Sequence, residues 1–128
     1  MQKGRLIIVD DEPYVTTTLA ARFRKEGFEV RIANNGEEAL GLALSSPPDV
    51  LITDYQMPVL SGYEMSVKLK ADARTAQLPV VMLTARGHHL SSEQLLMTNI
   101  KMVYSKPFSA RELVAKVTEI LAAEPAAK

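Results

Sequence analysis

Short apolar runs and longer amphipathic stretches alternate along this chain. Leu6-Ile7-Ile8-Val9, Val50-Leu51-Ile52-Thr53 and Val80-Val81-Met82-Leu83 are unbroken and mostly β-branched or aliphatic. Such runs suit strands buried on both faces, as in a parallel sheet. Glu29 to Ala33 and Lys101 to Tyr104 predict two further strands. Between the strands the spacing changes. Pro13 stands where a helix can begin, Leu19, Ala20 and Phe23 recur at helical intervals, and Gly27 reads as the stop. Asn34-Asn35-Gly36 is a turn before a second helix over Glu37 to Leu44, and Ser45-Ser46-Pro47-Pro48 breaks the chain. Pro58 to Gly62 reads as loop and Tyr63 to Lys70 as a third helix. Ser91 or Ser92 caps a fourth helix ending near Asn99, and Ser109 caps a fifth with Leu113, Val117, Ile120 and Leu121 on one stripe.

Strand then helix, five times over, predicts parallel strands joined by right-handed crossovers: an α/β doubly wound sheet with helices on both faces. A chain of 128 residues is one domain's worth. Lysine plus arginine equals aspartate plus glutamate at 15 each, which argues against binding nucleic acid or an acidic membrane through bulk charge. No cysteine is present, so thiolate zinc sites, disulfides and cysteine nucleophiles drop out, which allows the cytoplasmic address expected of this chain. No apolar run approaches the roughly 18 residues of a membrane span.

Ligands of doubly wound sheets bind beyond the carboxyl ends of the strands. Those ends carry Asp10-Asp11-Glu12 after strand one, Asp54 after strand three, Thr84 after strand four and Lys106 after strand five. Singly, each has an ordinary structural reading as a helix-start acid, a turn residue, a strand former or a solvated charge. Their coincidence on one edge has none. Crowded carboxylates call for a cation, and a hard divalent ion such as magnesium suits oxygen ligands. A lysine and a hydroxyl suit phosphoryl oxygens, and a lone aspartate can accept a phosphoryl group as an acyl phosphate. Asp54, on the central strand and apart from the acid cluster, is the best nucleophile.

Val9-Asp10-Asp11-Glu12-Pro13, Asp54-Tyr55-Gln56-Met57-Pro58 with Gly62, Thr84-Ala85 and Lys106-Pro107-Phe108 together resemble the receiver domain of two-component response regulators. Thr84 and Lys106 lie 22 positions apart, as in that family. The resemblance runs from Arg5 to about Leu121. It implies a flavodoxin-like strand order 2-1-3-4-5, with residues 1–122 as the receiver and 123–128 as a tail or linker stub. It implies that Asp54 takes a phosphoryl group from a phosphohistidine on a sensor histidine kinase or a histidine phosphotransfer protein. Magnesium or manganese would be held by Asp10, Asp11, Asp54 and the backbone carbonyl of Gln56, with Asp11 coordinating directly. Lys106 and Thr84 would bind phosphoryl oxygens, Ala85 would leave room for them, and the Lys106–Pro107 peptide would be cis. Phosphorylation would draw Thr84 inward and move the loop after it. The change would reach an output protein or domain through the face of helix 4, strand 5 and helix 5, with a phosphorylation-dependent dimer as one outcome. Such a domain assists its own phosphorylation and dephosphorylation without being a classical enzyme. Whether it stands alone or belongs to a longer chain divided near Pro125 is open.

One departure matters. The family's aromatic switch position, three residues before the lysine, holds Val103, and Tyr104 comes one place later. Strand alternation predicts that Tyr104 faces away from Val103, and nothing in Lys101-Met102-Val103-Tyr104 signals a bulge. Other classes fit less well. A flavin mononucleotide binder needs a hydroxyl- and glycine-rich loop where the acids stand. A haloacid-dehalogenase-like phosphatase needs Asp-x-Asp-x-Thr, and Gln56 occupies the second aspartate's place. A binding module that has lost phosphorylation is disfavoured by the full residue set. His88-His89 lacks a visible third ligand and reads as loop; Gln56 and Arg86 stand at positions that tune phosphoryl lifetime in similar domains.

Overall fold

A computed structural model describes residues 3–84, 90–106 and 109–123. Five strands and five helices alternate: β1 (Gly4–Val9), α1 (Pro13–Lys25), β2 (Phe28–Ala33), α2 (Gly36–Ser45), β3 (Val50–Asp54), α3 (Gly62–Ala71), β4 (Val80–Thr84), α4 (Ser92–Leu96), β5 (Ile100–Ser105) and α5 (Ala110–Ala123). All neighbouring strands are parallel, in the order β2-β1-β3-β4-β5. This is the doubly wound order expected, with Asp54 and Thr84 as the last residues of their strands.

The unbroken apolar runs are explained by two cores, one on each face of the sheet. Leu6, Ile8, Val50, Ile52, Val81 and Leu83 point to Leu19, Ala20 and Phe23 of α1 and Leu113, Val114 and Val117 of α5. Their alternates Ile7, Val9, Leu51 and Val80 point to Ala39 and Ala43 of α2 and Met65 and Leu69 of α3. Each large aliphatic side chain taken fully from water contributes roughly 1.5–3 kcal/mol, so an unpartnered polar group in the buried middle of β1, β3 or β4 would be costly, and buried Thr53 escapes this by donating its hydroxyl to the Asp54 carbonyl. Chemistry is therefore confined to the strand ends.

The helix starts follow their caps. Asn35 accepts from Glu38 N–H, and Ser61 and Ser91 form reciprocal capping boxes with Glu64 and Gln94. Gly27 takes φ +103° after α1, the left-handed conformation that lets the chain turn into β2. Two expectations need correction. The fourth helix stops at Leu96, short of Asn99, because Thr98 turns its hydroxyl onto the Leu95 carbonyl and accepts the Ile100 N–H, starting β5 at once. β5 also has an irregularity: Val80 pairs with Ile100 but Val81 pairs with Met102, leaving exposed Lys101 as an extra residue. Ile100 consequently packs against the α2–α3 core, whereas Met102 and Tyr104 pack against the α1–α5 core. Beyond the bulge alternation is regular, so Tyr104 does face away from Val103. The expectations for Ala85, Arg86, His88-His89, the Lys106–Pro107 peptide, Phe108 and residues 124–128 lie outside the described residues.

Candidate functional site

Three strand ends are tied together where the sheet stops. Tyr55 N–H donates to the Leu83 carbonyl at 2.7 Å, and Lys106 N–H donates to the Thr84 carbonyl at 2.7 Å. Gly62 N–H donates to the Tyr55 carbonyl at 2.8 Å, bringing the start of α3 against the end of β3. A Cβ on Gly62 would stand 2.2 Å from the Asp54 carbonyl oxygen, so only glycine permits this approach. Asp11, Glu12, Asp54, Tyr55, Gln56, Met57, Pro58, Ser61 and Lys106 line the resulting cleft.

Lys106 lies at the centre of the charges. Its Nζ is 3.1 Å from Asp54 Oδ1, 3.2 Å from Asp10 Oδ2 and 3.3 Å from Glu12 Oε1. The other oxygen of Asp10 accepts the Glu12 N–H at 2.9 Å. Burial of the Asp10 side chain, reinforced by the Asp54 charge, pushes its carboxyl up to about 6 against the pull of the Glu12 N–H and Lys106. Burial likewise raises Asp54, opposed by Lys106 and aided by the charges of Asp11 and Glu12. Burial works against the Lys106 ammonium, but its hydrogen bonds and charge pairs with Asp54 and Asp10 outweigh that and raise its pKa. Burial thus raises the two carboxyls, while Lys106 stays charged because Asp10, Glu12 and Asp54 share it.

The structure thus brings together Asp10, Asp11, Asp54 and Lys106, with Gln56 on the cleft wall. One oxygen from each of Asp10, Asp11 and Asp54 falls within a 4.8 Å group, a spacing that suits a small hard cation with carboxylate ligands. Thr84 is wholly buried, and its Oγ1 is the one buried side-chain polar atom without a hydrogen-bond partner among the described residues. An orphaned hydroxyl at the end of a strand neighbouring Asp54 awaits an acceptor. Ala85 falls outside the described residues. Two contributions were not legible in the sequence as roles. Glu12 reaches Lys106 from 94 positions away, and Gly62 is required by the close approach just described. Glu12 was visible only as a third acid beside the pair.

The response regulator receiver domain family model matches residues 6–118, and the chain belongs to this family. It is a phosphoacceptor module of two-component signalling. It is 40% identical over 118 residues to the transcriptional regulatory protein CpxR of Escherichia coli, covering 92% of this chain and 49% of that protein. It is 34% identical over 116 residues to the phosphate regulon transcriptional regulatory protein PhoB of Pseudomonas aeruginosa, covering 91% of this chain and 51% of the other. The chain spans about half the length of these curated relatives. Among solved structures it resembles the receiver domain of the Pseudomonas aeruginosa sensor histidine kinase PA1611, which has magnesium coordinated in its active-site cleft. That match has a TM-score of 0.83 and 25% identity, covering 94% of this chain and 98% of the other.

Proposed function

We propose that Asp54 is the phosphoacceptor, with Asp10, Asp11, Asp54 and the Gln56 carbonyl holding magnesium or manganese, and Lys106 and Thr84 receiving phosphoryl oxygens. The observation that carries this is the pairing of Lys106 Nζ with Asp54 at 3.1 Å beside the unpartnered, buried Thr84 hydroxyl. Asp54 presents its carboxylate, a new O–P bond forms as the donor's N–P bond breaks, and the histidine, protonated on its other ring nitrogen, keeps the N–P electron pair and leaves as neutral imidazole. Lys106 neutralises charge on the transferred group. The Thr84 hydroxyl donates to one of its oxygens and so gains the partner it lacks. A bound divalent ion supplies the remaining charge neutralisation among the acids and the phosphoryl group. Positioning does most of the rest, since the residues already converge on a single edge. The same arrangement supports slow self-dephosphorylation by water.

The donor in this reading is a sensor histidine kinase or a histidine phosphotransfer protein, and the output leaves through α4, β5 and α5. A balanced net charge argues that any nucleic acid is met by a separate output domain rather than by this chain. We take residues 1–122 as the receiver and 123–128 as a tail or linker stub, the division falling within the last turn of α5. No helix among the described residues is long and apolar enough to cross a membrane, and we place the protein in the cytoplasm.

Intact-mass measurement after treatment with acetyl phosphate and magnesium tests the site. One phosphoryl adduct is expected, absent in Asp54→Ala and absent with chelator. Full labelling of Asp54→Ala would move the acceptor elsewhere.

A further inference from the structure

Glu12 sits at the N-cap of α1, where an acid side chain ordinarily accepts hydrogen bonds from the first helical amides. It makes no cap bond. Its side chain is 64% exposed, yet one carboxylate oxygen is held 3.3 Å from Lys106 Nζ. Lys106 has two further partners, Asp10 at 3.2 Å and Asp54 at 3.1 Å, and both belong to the three-carboxylate group that suits a cation. An ammonium and a divalent ion therefore compete for the same oxygens, and like charges repel at such distances. Glu12 is the one partner of Lys106, among the described residues, outside that group. Asp10 joins the two, holding the Glu12 N–H with Oδ1 and Lys106 with Oδ2.

We infer that Glu12 is a positioning residue: it anchors the Lys106 ammonium at the rim, so that Asp10 and Asp54 can be yielded to a divalent cation while Lys106 stays in the cleft. The inference rests on the reading of Asp10, Asp11 and Asp54 as the cation site. Without Glu12, Lys106 keeps its hold on the inner acids and the cation meets a stronger competitor. A plain charge effect of Glu12 on the cation would weaken binding too, but without passing through Lys106.

A double-mutant cycle separates these, read as magnesium affinity by titration calorimetry on the unphosphorylated chain at constant ionic strength. Glu12→Gln keeps the side chain's length and removes its charge. It is expected to weaken magnesium binding about threefold, the size typical of a rim ion pair. In a Lys106→Met background the same substitution should change affinity by less than about 1.7-fold, the lower edge of the margin within which independent substitutions add. If Lys106→Met does not fold, Lys106→Gln closes the cycle. Equal weakening in both backgrounds would overturn the inference and leave Glu12 a general contributor of charge. Unchanged affinity for Glu12→Gln alone would also overturn it. No magnesium binding by the native chain would remove the cation site itself, and this inference with it, which the first two results would not do.

Discussion

Val59 is a β-branched residue held at φ +71°, at the centre of a three-residue turn closed by Leu60 N–H on the Pro58 carbonyl at 2.8 Å. Left-handed backbone costs a residue of this type about 1–3 kcal/mol. Its side chain is 84% exposed, so it recovers little by burial. Val59→Gly should therefore stabilise the fold, by about 1 kcal/mol after the added freedom of the unfolded chain is deducted. Urea denaturation reads this directly, and a lower midpoint for the variant would show that Val59 makes a compensating contact. Asp10 carries the opposite kind of strain, electrostatic rather than steric. Its folded pKa of about 6 lies above the ordinary 3.8. The fold prefers the protonated form, so the stability this group contributes is complete below pH about 4 and is lost as the pH rises through about 6. A divalent cation needs the ionised form and runs the other way. Magnesium affinity should be roughly tenfold weaker at pH 5 than at pH 7.5. A pH-independent affinity across that interval would take Asp10 out of the ligand set.

At the scale of elements, two glycines on helices give opposite expectations from the same substitution. Alanine at Gly62 would drive its Cβ to 2.2 Å from the Asp54 carbonyl and 3.1 Å from Met82 Sδ, separating α3 from the strand that presents Asp54. Gly62→Ala should cost upwards of about 2 kcal/mol and slow phosphoryl uptake. Gly41 is exposed within α2, and a methyl group there would meet nothing within 4 Å. Gly41→Ala should stabilise by about 0.5–1 kcal/mol with uptake unchanged. Thermal unfolding with acetyl phosphate labelling checks both, and equal behaviour of the two would refute the close-approach argument. The elements themselves were legible because burial on both faces forces unbroken apolar runs, and a core-facing helix forces a stripe. The convergence of Asp10, Asp11, Asp54 and Lys106 was legible because a sheet buried on both sides leaves room for charged groups only at its strand ends. What escaped was set by backbone register and long-range contact. Lys101 is an ordinary exposed strand residue by type, and only the pairing of Val81 with Met102 makes it a bulge. α4 ends early although Leu95, Leu96 and Met97 continue an apolar pattern, since Leu96 and Met97 are exposed and no core holds another turn. The clasp of Glu12 on Lys106 joins residues that no local pattern connects.

For the molecule as a whole, the question is how a change at Asp54 travels. The β4–β5 register sets Met82 beside Val103, Leu83 beside Tyr104 and Thr84 beside Ser105. Paired residues of parallel strands share a face, and faces alternate along a strand. Leu83 and Tyr104 therefore belong to the α1–α5 side, where Tyr104 packs against the core. Val103 lies on the opposite face, but a β-branched side chain has few rotamers to exchange and no ring to swing. The bulge at Lys101 lies before this segment and turns Ile100, not Tyr104. A phosphoryl group would give the Thr84 hydroxyl its missing partner, so Thr84 is the group with most to gain by moving. Spectra recorded with and without beryllofluoride and magnesium should show Thr84 shifting while the Tyr104 ring keeps its environment, and Tyr104→Phe should switch as the native chain does. A Tyr104 ring that passes from half-buried to buried as Thr84 closes on the phosphoryl mimic would reverse this, since the ring would then have to leave the α1–α5 core to follow Thr84.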